Sequence, residues 1–360
     1  MTWLWKEIEA DWLAGSALAQ PPEVIVEAFE RVEAHFGRPW IEASRMHEGG
    51  IGPARGTAPT LNIVTLGRQL AILEHVDDCG KLLKKLRDRD ASAYAELSAI
   101  WLACNSQELE IEYEPQATVS GRTRKSDFRI RRDMEPWTYV EVTQPNRSAA
   151  QERMHTVMDQ MARTIEVTTG SYAAEVFFLR LPEPSEVEHV RAVLEKEVAL
   201  SGAHEHLLPD GLGVIYFNTS QPGQFVVDDH GFPRVPRLGQ ASATYENGKS
   251  VRQIAIRMPY FDTRGNQFLA TEAAQLPGDA PGLIMVQTAG APGALKEWVP
   301  VIEAEFQLEL YRQVSGVCLF TSGHYPTDRG VEQSIETKLI LNSRAKHQLP
   351  VWLQANLHSD

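Results

Sequence analysis

Asp127 and Glu141 are the residues whose types and spacing point most directly to chemistry. Asp127 lies in KSDFRIR, residues 125–131, and Glu141 in WTYVEVT, residues 137–143. Both segments alternate polar and apolar positions, the period of a half-buried β-strand. On that reading Lys125, Asp127, Arg129 and Arg131 share one face of the first strand, and Tyr139, Glu141 and Thr143 share one face of the second. Paired as a hairpin, the strands set Asp127 beside Glu141. Two neighbouring carboxylates repel unless a proton or a cation lies between them. Mg²⁺, or Mn²⁺ in its place, is a hard ion that takes one or two carboxylates and completes its shell with water and phosphate oxygens. Such an ion lowers the pKa of bound water and stabilises charge developing on a phosphate. Glu96, in the helical stretch before the strands, is a third oxygen donor, so the expected metal ligands are Asp127, Glu141 and Glu96.

The elements that must hold these side chains follow from local pattern. DASAYAELSAIWLAC, residues 90–104, reads as a helix with Asp90 as its N-cap and Tyr94, Leu97, Ile100 and Trp101 as its apolar stripe. ELEIEYE, residues 108–114, alternates Leu109, Ile111 and Tyr113 with four glutamates and reads as a charge-protected edge strand. A helix over 147–167, with Met154, Met158, Met161 and Ile165 inward, leads to the apolar strand AEVFFLRL at 174–181. Residues 90–181 therefore read helix, three strands, helix, strand, with the second helix as a right-handed crossover. Before them, residues 1–87 read as helical, with a glycine- and proline-rich loop at 47–59. After them come a helix at 185–200 and strands at 213–219 and 224–229. The chain closes with a βαβ unit from GLIMVQTA through a helix at 294–312 to GVCLF, and a short strand near 338. The expected fold class is α/β on a mixed sheet. Its parts are an N-terminal helical region (1–87), a core (88–220) and a C-terminal α/β region (221–360) that extends the same sheet or forms its own lobe. The proline- and glycine-rich stretch at 221–239 is the candidate boundary.

The order of elements around Asp127 and Glu141 resembles the PD-(D/E)XK nuclease superfamily over about residues 88–182. The resemblance implies metal-dependent cleavage of nucleic-acid phosphodiesters. Asp127 and Glu141 match the two acidic positions, Glu96 the helical glutamate of many members, and Gln160 a glutamine of exonuclease-like members. Ser126 stands where proline is frequent. Thr143 stands where the family has its lysine, and threonine carries no charge to orient a water. Lys125 is the expected substitute ammonium. Arg129 is a second cation, but a guanidinium does not serve as a base. The alternative is a catalytically silent nuclease-like protein that binds nucleic acid or a protein partner in a defence or repair assembly.

Charge and composition constrain the partners. The 360-residue chain carries a net charge of −13, which disfavours nonspecific coating of nucleic acid but allows a local basic patch. Arg122, Arg124, Arg129 and Arg131 are the expected nucleic-acid contacts, with Lys81, Lys84, Lys85, Arg87 and Arg89 as a second basic cluster. The same clusters read equally as a solvated face or a surface for an acidic partner. Apolar residues at 43% and charged residues at 23% are globular values. Cys79, Cys104 and Cys318 are too far apart for a disulfide framework or a cysteine zinc site. No basic, apolar leader and no membrane-length apolar run is present. The expected setting is cytoplasmic, without membrane contact, and a homodimer is compatible. His204 and His206 read as a surface loop and His155 as a packed or solvated side chain. GGIGPARG is not a phosphate loop, because it lacks the preceding strand and the GK(S/T) ending. Glu272 and Gln275 lie ahead of a buried strand, and the sequence assigns them no role.

Overall fold

A computed structural model describes residues 3–9, 20–45, 57–104, 109–119, 122–145, 149–200, 202–218, 237–246, 249–259, 266–288, 294–327 and 330–358. The expected strand at 224–229, most of the boundary stretch at 221–239, and residues 47–56 of the expected loop lie outside them. The chain forms two compact units that interleave in sequence. Unit 1 comprises 1–145, 263–289 and 294–360, and unit 2 comprises 146–262 and 290–293. Neither the 87/88 nor the 220/221 division coincides with these limits. The N-terminal helices pack into the same core as the candidate strands, and the second unit is inserted just after the Glu141 strand.

Unit 1 begins with helices α1 (Trp5–Glu9), α2 (Pro22–Phe36), α3 (Arg38–Arg45) and α4 (Thr57–Leu70), then β1 (Val76–Asp77), α5 (Gly80–Arg87) and α6 (Ala91–Cys104). Asp90 caps α6 as its position suggested, its Oδ1 accepting the Ser92 backbone N–H at 2.9 Å. α6 buries Ala93, Ala95, Leu97, Ala99, Ile100 and Leu102, nearly its whole circumference rather than one stripe. α4 crosses α2 at Gly67, where an added Cβ would lie 2.3 Å from the Ala28 carbonyl oxygen. Gly67→Ala is therefore expected to destabilise the protein by about 1–3 kcal/mol through overpacking, readable as a lowered denaturation midpoint.

The strands follow as β2 (Glu110–Tyr113), β3 (Gln116–Val119), β4 (Arg122–Lys125), β5 (Phe128–Arg131) and β6 (Thr138–Thr143). The expected continuous strand 125–131 is broken at Ser126–Asp127. β4 leaves the main sheet to form a two-stranded ribbon with β3, while β5 pairs with β2 and β6. Glu114, at φ +48°, turns the partner chain at the same level. Two backbone bonds tie the paired bends, Glu114 N–H to the Asp127 carbonyl at 2.8 Å and Ser126 N–H to the Pro115 carbonyl at 3.3 Å.

Unit 2 contains α7 (Ala149–Ala162), α8 (Thr164–Val167), β7 (Tyr172–Phe178), α9 (Pro184–Glu197), β8 (His204–Leu207), β9 (Gly213–Phe217), β10 (Arg237–Glu246) and β11 (Lys249–Pro259). Its sheet order is β10-β11-β7-β9-β8. Met154, Met158, Met161 and Ile165 are buried, as their spacing implied. The expected crossover from β6 to residues 174–181 does not occur, because β7 pairs with β9 and β11 in this second sheet.

The chain then completes unit 1 with α10 (Leu269–Ala273), β12 (Gly282–Gln287), α11 (Ala294–Phe306), β13 (Gly316–Thr327), β14 (Gly330–Leu341) and α12 (Val351–Leu357). β12 lies parallel to β6 with Ile284 opposite Glu141, and parallel to β13 on its other side. The C-terminal βαβ unit thus extends the sheet, whose order is β1-β2-β5-β6-β12-β13-β14. Local pattern cannot choose between AEVFFLRL and GLIMVQ as the neighbour of β6, since both are short apolar runs. The structure is a mixed α/β fold, and no helix among the described residues is long and apolar enough to cross a membrane. The three cysteines are unpaired.

Candidate active site

Asp127 and Glu141 come together at the β5–β6 end of unit 1. Phe128 pairs with Val140 and Arg129 with Tyr139, so one further step of register sets Asp127 opposite Glu141. The Asp127 Oδ2 accepts the Val142 backbone N–H at 2.6 Å, which fixes the carboxyl beside the next strand. Glu141 is only 2% exposed, and its Oε1 is buried without a hydrogen-bond partner. The Ser126 hydroxyl beside it lowers its proton affinity but forms no well-shaped hydrogen bond. Alternation along β6 sends Val140 and Val142 into the apolar cluster shared with α6, leaving Tyr139, Glu141 and Thr143 on the other face.

The electrostatics follow from this crowding. Burial and the adjacent Asp127 carboxylate push Glu141 up to about 9. Burial also raises Asp127 to about 7, against the Val142 N–H, with Glu96 and Glu272 adding to the rise and Lys85 opposing it. Two such groups hold a proton or a cation between them rather than two free charges.

Two flanking residues matter that the motif did not assign. Glu272, from α10, stands beside the Thr143 hydroxyl and accepts from Gln275 Nε2 at 3.0 Å. Burial raises its proton affinity, against the Thr143 and Gln275 contacts. Its position ahead of a buried strand was the sequence signal, but its strand partner was not readable. Lys85, from α5, is an ammonium whose charge reaches Asp127. It donates to the Tyr113 hydroxyl at 2.9 Å and lies 3.4 Å from both Glu96 oxygens. Tyr113 in turn donates to Glu96 Oε2 at 2.5 Å. Glu96, 4% exposed, is thereby committed to Lys85 and Tyr113, although its charge reaches both Asp127 and Glu141.

The other expected contacts divide sharply. Lys125, the expected substitute ammonium, follows β4 out of the sheet and lies 3.3 Å from Glu114, which Lys81 also approaches at 3.2 Å. Burial works to raise the Glu114 pKa, and these two ammoniums outweigh it. Arg129 is bonded to Glu112 and Arg131 to Glu110, and both guanidiniums lie over the Trp137 ring at 4.3 and 4.4 Å. β2 is not the expected edge strand, since β1 pairs along its other side, and its Glu110 and Glu112 are neutralised across the β2–β5 pair. Arg122 and Arg124 are exposed on β4 and carry no ion pair among the described residues. In the second basic cluster, Arg87 donates to the His35 carbonyl and Arg89 to the Ser44 hydroxyl.

Gln160 and His155 sit on α7 and belong to unit 2 rather than to the unit that holds the acids. His204 and His206 lie on strand β8, not in a loop, because residues 204–207 pair with β9. Their rings face one carboxylate, with His206 Nδ1 at 2.9 Å and His204 Nε2 at 3.6 Å from Glu197.

Among the described residues, no three acidic, histidine or cysteine side chains converge closely enough to enclose a metal ion as they stand. The Asp127–Glu141 pair nevertheless suits a hard divalent ion. It offers carboxylate oxygens from opposed strand positions, one of them buried and unpartnered, and Mg²⁺ needs only one or two such ligands beside its waters. No family model matches the chain, and no curated protein or solved structure matches it either.

Proposed function

We infer that unit 1 is a divalent-metal-dependent phosphodiester hydrolase of the PD-(D/E)XK type, acting on nucleic acid. The observation that carries this reading is the opposition of Asp127 and Glu141 across β5 and β6, with the Glu141 Oε1 buried and unpartnered. In support, α6, β2, β5 and β6 follow in the order the resemblance implies, interrupted by the β3–β4 ribbon, and β12 supplies a parallel neighbour to β6. Asp127 and Glu141 would hold Mg²⁺ or Mn²⁺, with Glu96 and Glu272 flanking. When bound, that ion supplies Lewis-acid polarisation of a phosphoryl oxygen and a more acidic water.

The remaining work falls to the chain's own groups. The Val142 N–H orients Asp127. Lys85, held by Tyr113 and Glu96, places a positive charge toward Asp127 and takes the part that Thr143 cannot. Glu272, whose burial favours its protonated form, is the carboxyl suited to exchange a proton with water at the Thr143 side. The test is cleavage of a supercoiled plasmid and of a labelled single strand in Mg²⁺ or Mn²⁺. Asp127→Ala is expected to lower the rate by about 10²–10⁴-fold. Cleavage that survives the substitution comes from another site and rejects this one.

A second reading is favoured by one observation. Thr143 brings no charge to the pair, and Lys85 is already engaged by Glu96, Tyr113 and Glu114. In that case the acids are a remnant and the fold only binds its partner. Nucleic-acid binding without cleavage in either metal selects it.

A further inference from the structure

Unit 1 has a concave feature whose lining includes the residue after Glu272. A cavity of about 650 Å³ is bordered by Val119 of β3, Arg122 and Arg124 of β4, Ala273 of α10, Leu276 and Lys346. This volume is in the range of small-molecule sites. Residues 122 and 124 are two apart on one strand and so present the same face. Across the cavity, a Cβ built on Gly278 would lie 3.9 Å from Lys346 Nζ. The far wall is tied to the fold. Gln313 Nε2 donates to the Ala273 carbonyl at 3.2 Å, and the Lys346 backbone N–H donates to the Arg312 carbonyl at 2.8 Å.

The cations of this cavity differ from those of the neighbouring strands, which are closed by carboxylates. Arg129 and Arg131 are closed by Glu112 and Glu110, Arg132 by Glu135, and Lys81, Lys85 and Lys125 by Glu114 and Glu96. Arg122, Arg124 and Lys346 form no ion pair among the described residues, and no acidic side chain lines the cavity. In a chain of net charge −13, three uncompensated cations around one concavity form a local anion site. The apolar lining from Val119, Ala273 and Leu276 suits the less polar parts of an ester-bearing ligand. α10 connects the two features, since Glu272 serves the acid pair and the next residue, Ala273, borders the cavity.

We propose that this cavity is a phosphate subsite, in which Arg122, Arg124 and Lys346 hold the phosphate groups of a nucleic-acid backbone or a nucleotide. Its ligand class rests on the phosphodiester reading above, whereas its cations do not. The test is fluorescence anisotropy of a labelled single-stranded oligonucleotide with the whole protein in EDTA, titrated over a range of salt. The combined variant Arg122→Ala, Arg124→Ala, Lys346→Ala is expected to bind about tenfold or more weakly. The slope of log K against log salt should shrink by about 2, the amount for three lost contacts to a single strand. Arg129→Ala with Glu112→Ala, which removes a closed pair and leaves the net charge unchanged, should change affinity less than twofold. All five side chains lie at the surface or partly exposed, and an unchanged melting temperature confirms that the variants fold.

Competition by AMP that the triple variant loses identifies a nucleotide as the source of phosphate. Competition only by unlabelled oligonucleotide identifies the backbone. Polyglutamate competing as well as the oligonucleotide overturns the phosphate assignment, as does wild-type protein that does not bind or a triple variant that binds equally well. Binding lost in the triple variant, with no wild-type cleavage in Mg²⁺ or Mn²⁺, keeps the subsite and removes hydrolysis. Cleavage by wild type with unchanged triple-variant affinity does the reverse.

Discussion

Glu141→Gln is expected to make the protein more stable above pH 7 and at the same time inactive. The two effects have one cause. Glu141 is buried, one of its oxygens has no partner, and Asp127 lies opposite. Its folded pKa is raised from 4.5 to about 9, and that of Asp127 from 3.8 to about 7. The folded state therefore holds more protons than the unfolded state across this interval. The sign follows from linkage: stability is greatest below the unfolded values and falls as pH rises, until Glu141 has ionised near pH 9. Each proton in play contributes a slope on the order of 1 kcal/mol per pH unit. Gln keeps the shape and removes the charge, so the variant should gain about 1–3 kcal/mol at pH 8 and lose most of the slope. Mg²⁺ should raise the wild-type melting temperature at pH 8 by binding the folded state, and should not raise that of the variant. Cleavage should fall by about 10²–10⁴-fold. Melting curves from pH 5 to 9, with and without Mg²⁺, check the stability side. A variant that is less stable than wild type at pH 8, or a wild type indifferent to both pH and Mg²⁺, would rule out a shared cation or proton at this pair.

Lys85→Met should cost activity where Lys125→Met does not. Sequence alternation favoured Lys125, but its ammonium pairs with Glu114 on the β4 ribbon. Lys85 instead opposes the rise in the Asp127 pKa and is bonded to Tyr113. Removing a positioned charge of this kind lowers kcat by about 10²–10³-fold. It also leaves Glu96 with Tyr113 as its remaining bonded partner in this group, at a stability cost of about 1–3 kcal/mol. Lys85→Arg restores charge without the compact ammonium and should recover stability better than kcat. The decisive measurement is kcat for the three variants beside their denaturation midpoints. Equal losses in Lys85→Met and Lys125→Met, or a Lys85 defect confined to stability, would leave the acids without a chain-supplied ammonium and strengthen the silent alternative.

The contrast between the two lysines shows where local reading stops. Alternation along 125–131 assumed an unbroken strand. Ser126 and Asp127 instead form a bend, because β4 has its own partner in β3 and Glu114 turns at the same level. Neither cause has a two-residue period, so alternation could not show it. Likewise the basic run from Arg122 to Arg132 reads as one patch, but the fold splits it. Arg129 and Arg131 meet the glutamates that β2 places opposite them, while Arg122 and Arg124 leave with the ribbon.

The amino-acid sequence by itself determined α6, β2, β6 and the meeting of the acids. Alanine and leucine content with a capping aspartate make α6, alternation makes β2 and β6, and the antiparallel order of 128–131 and 138–143 sets Asp127 against Glu141. These are short-range matters, governed by backbone preference and by which face of a strand is buried. Tertiary structure alone decided the neighbour of β6, the contact of Glu272 with Thr143, the charge that Lys85 brings to bear on Asp127, and the pairing of each cation. Those depend on contacts between residues distant in the chain, where several apolar runs and several lysines compete on equal local terms. Only the packing of the whole unit distinguishes among them.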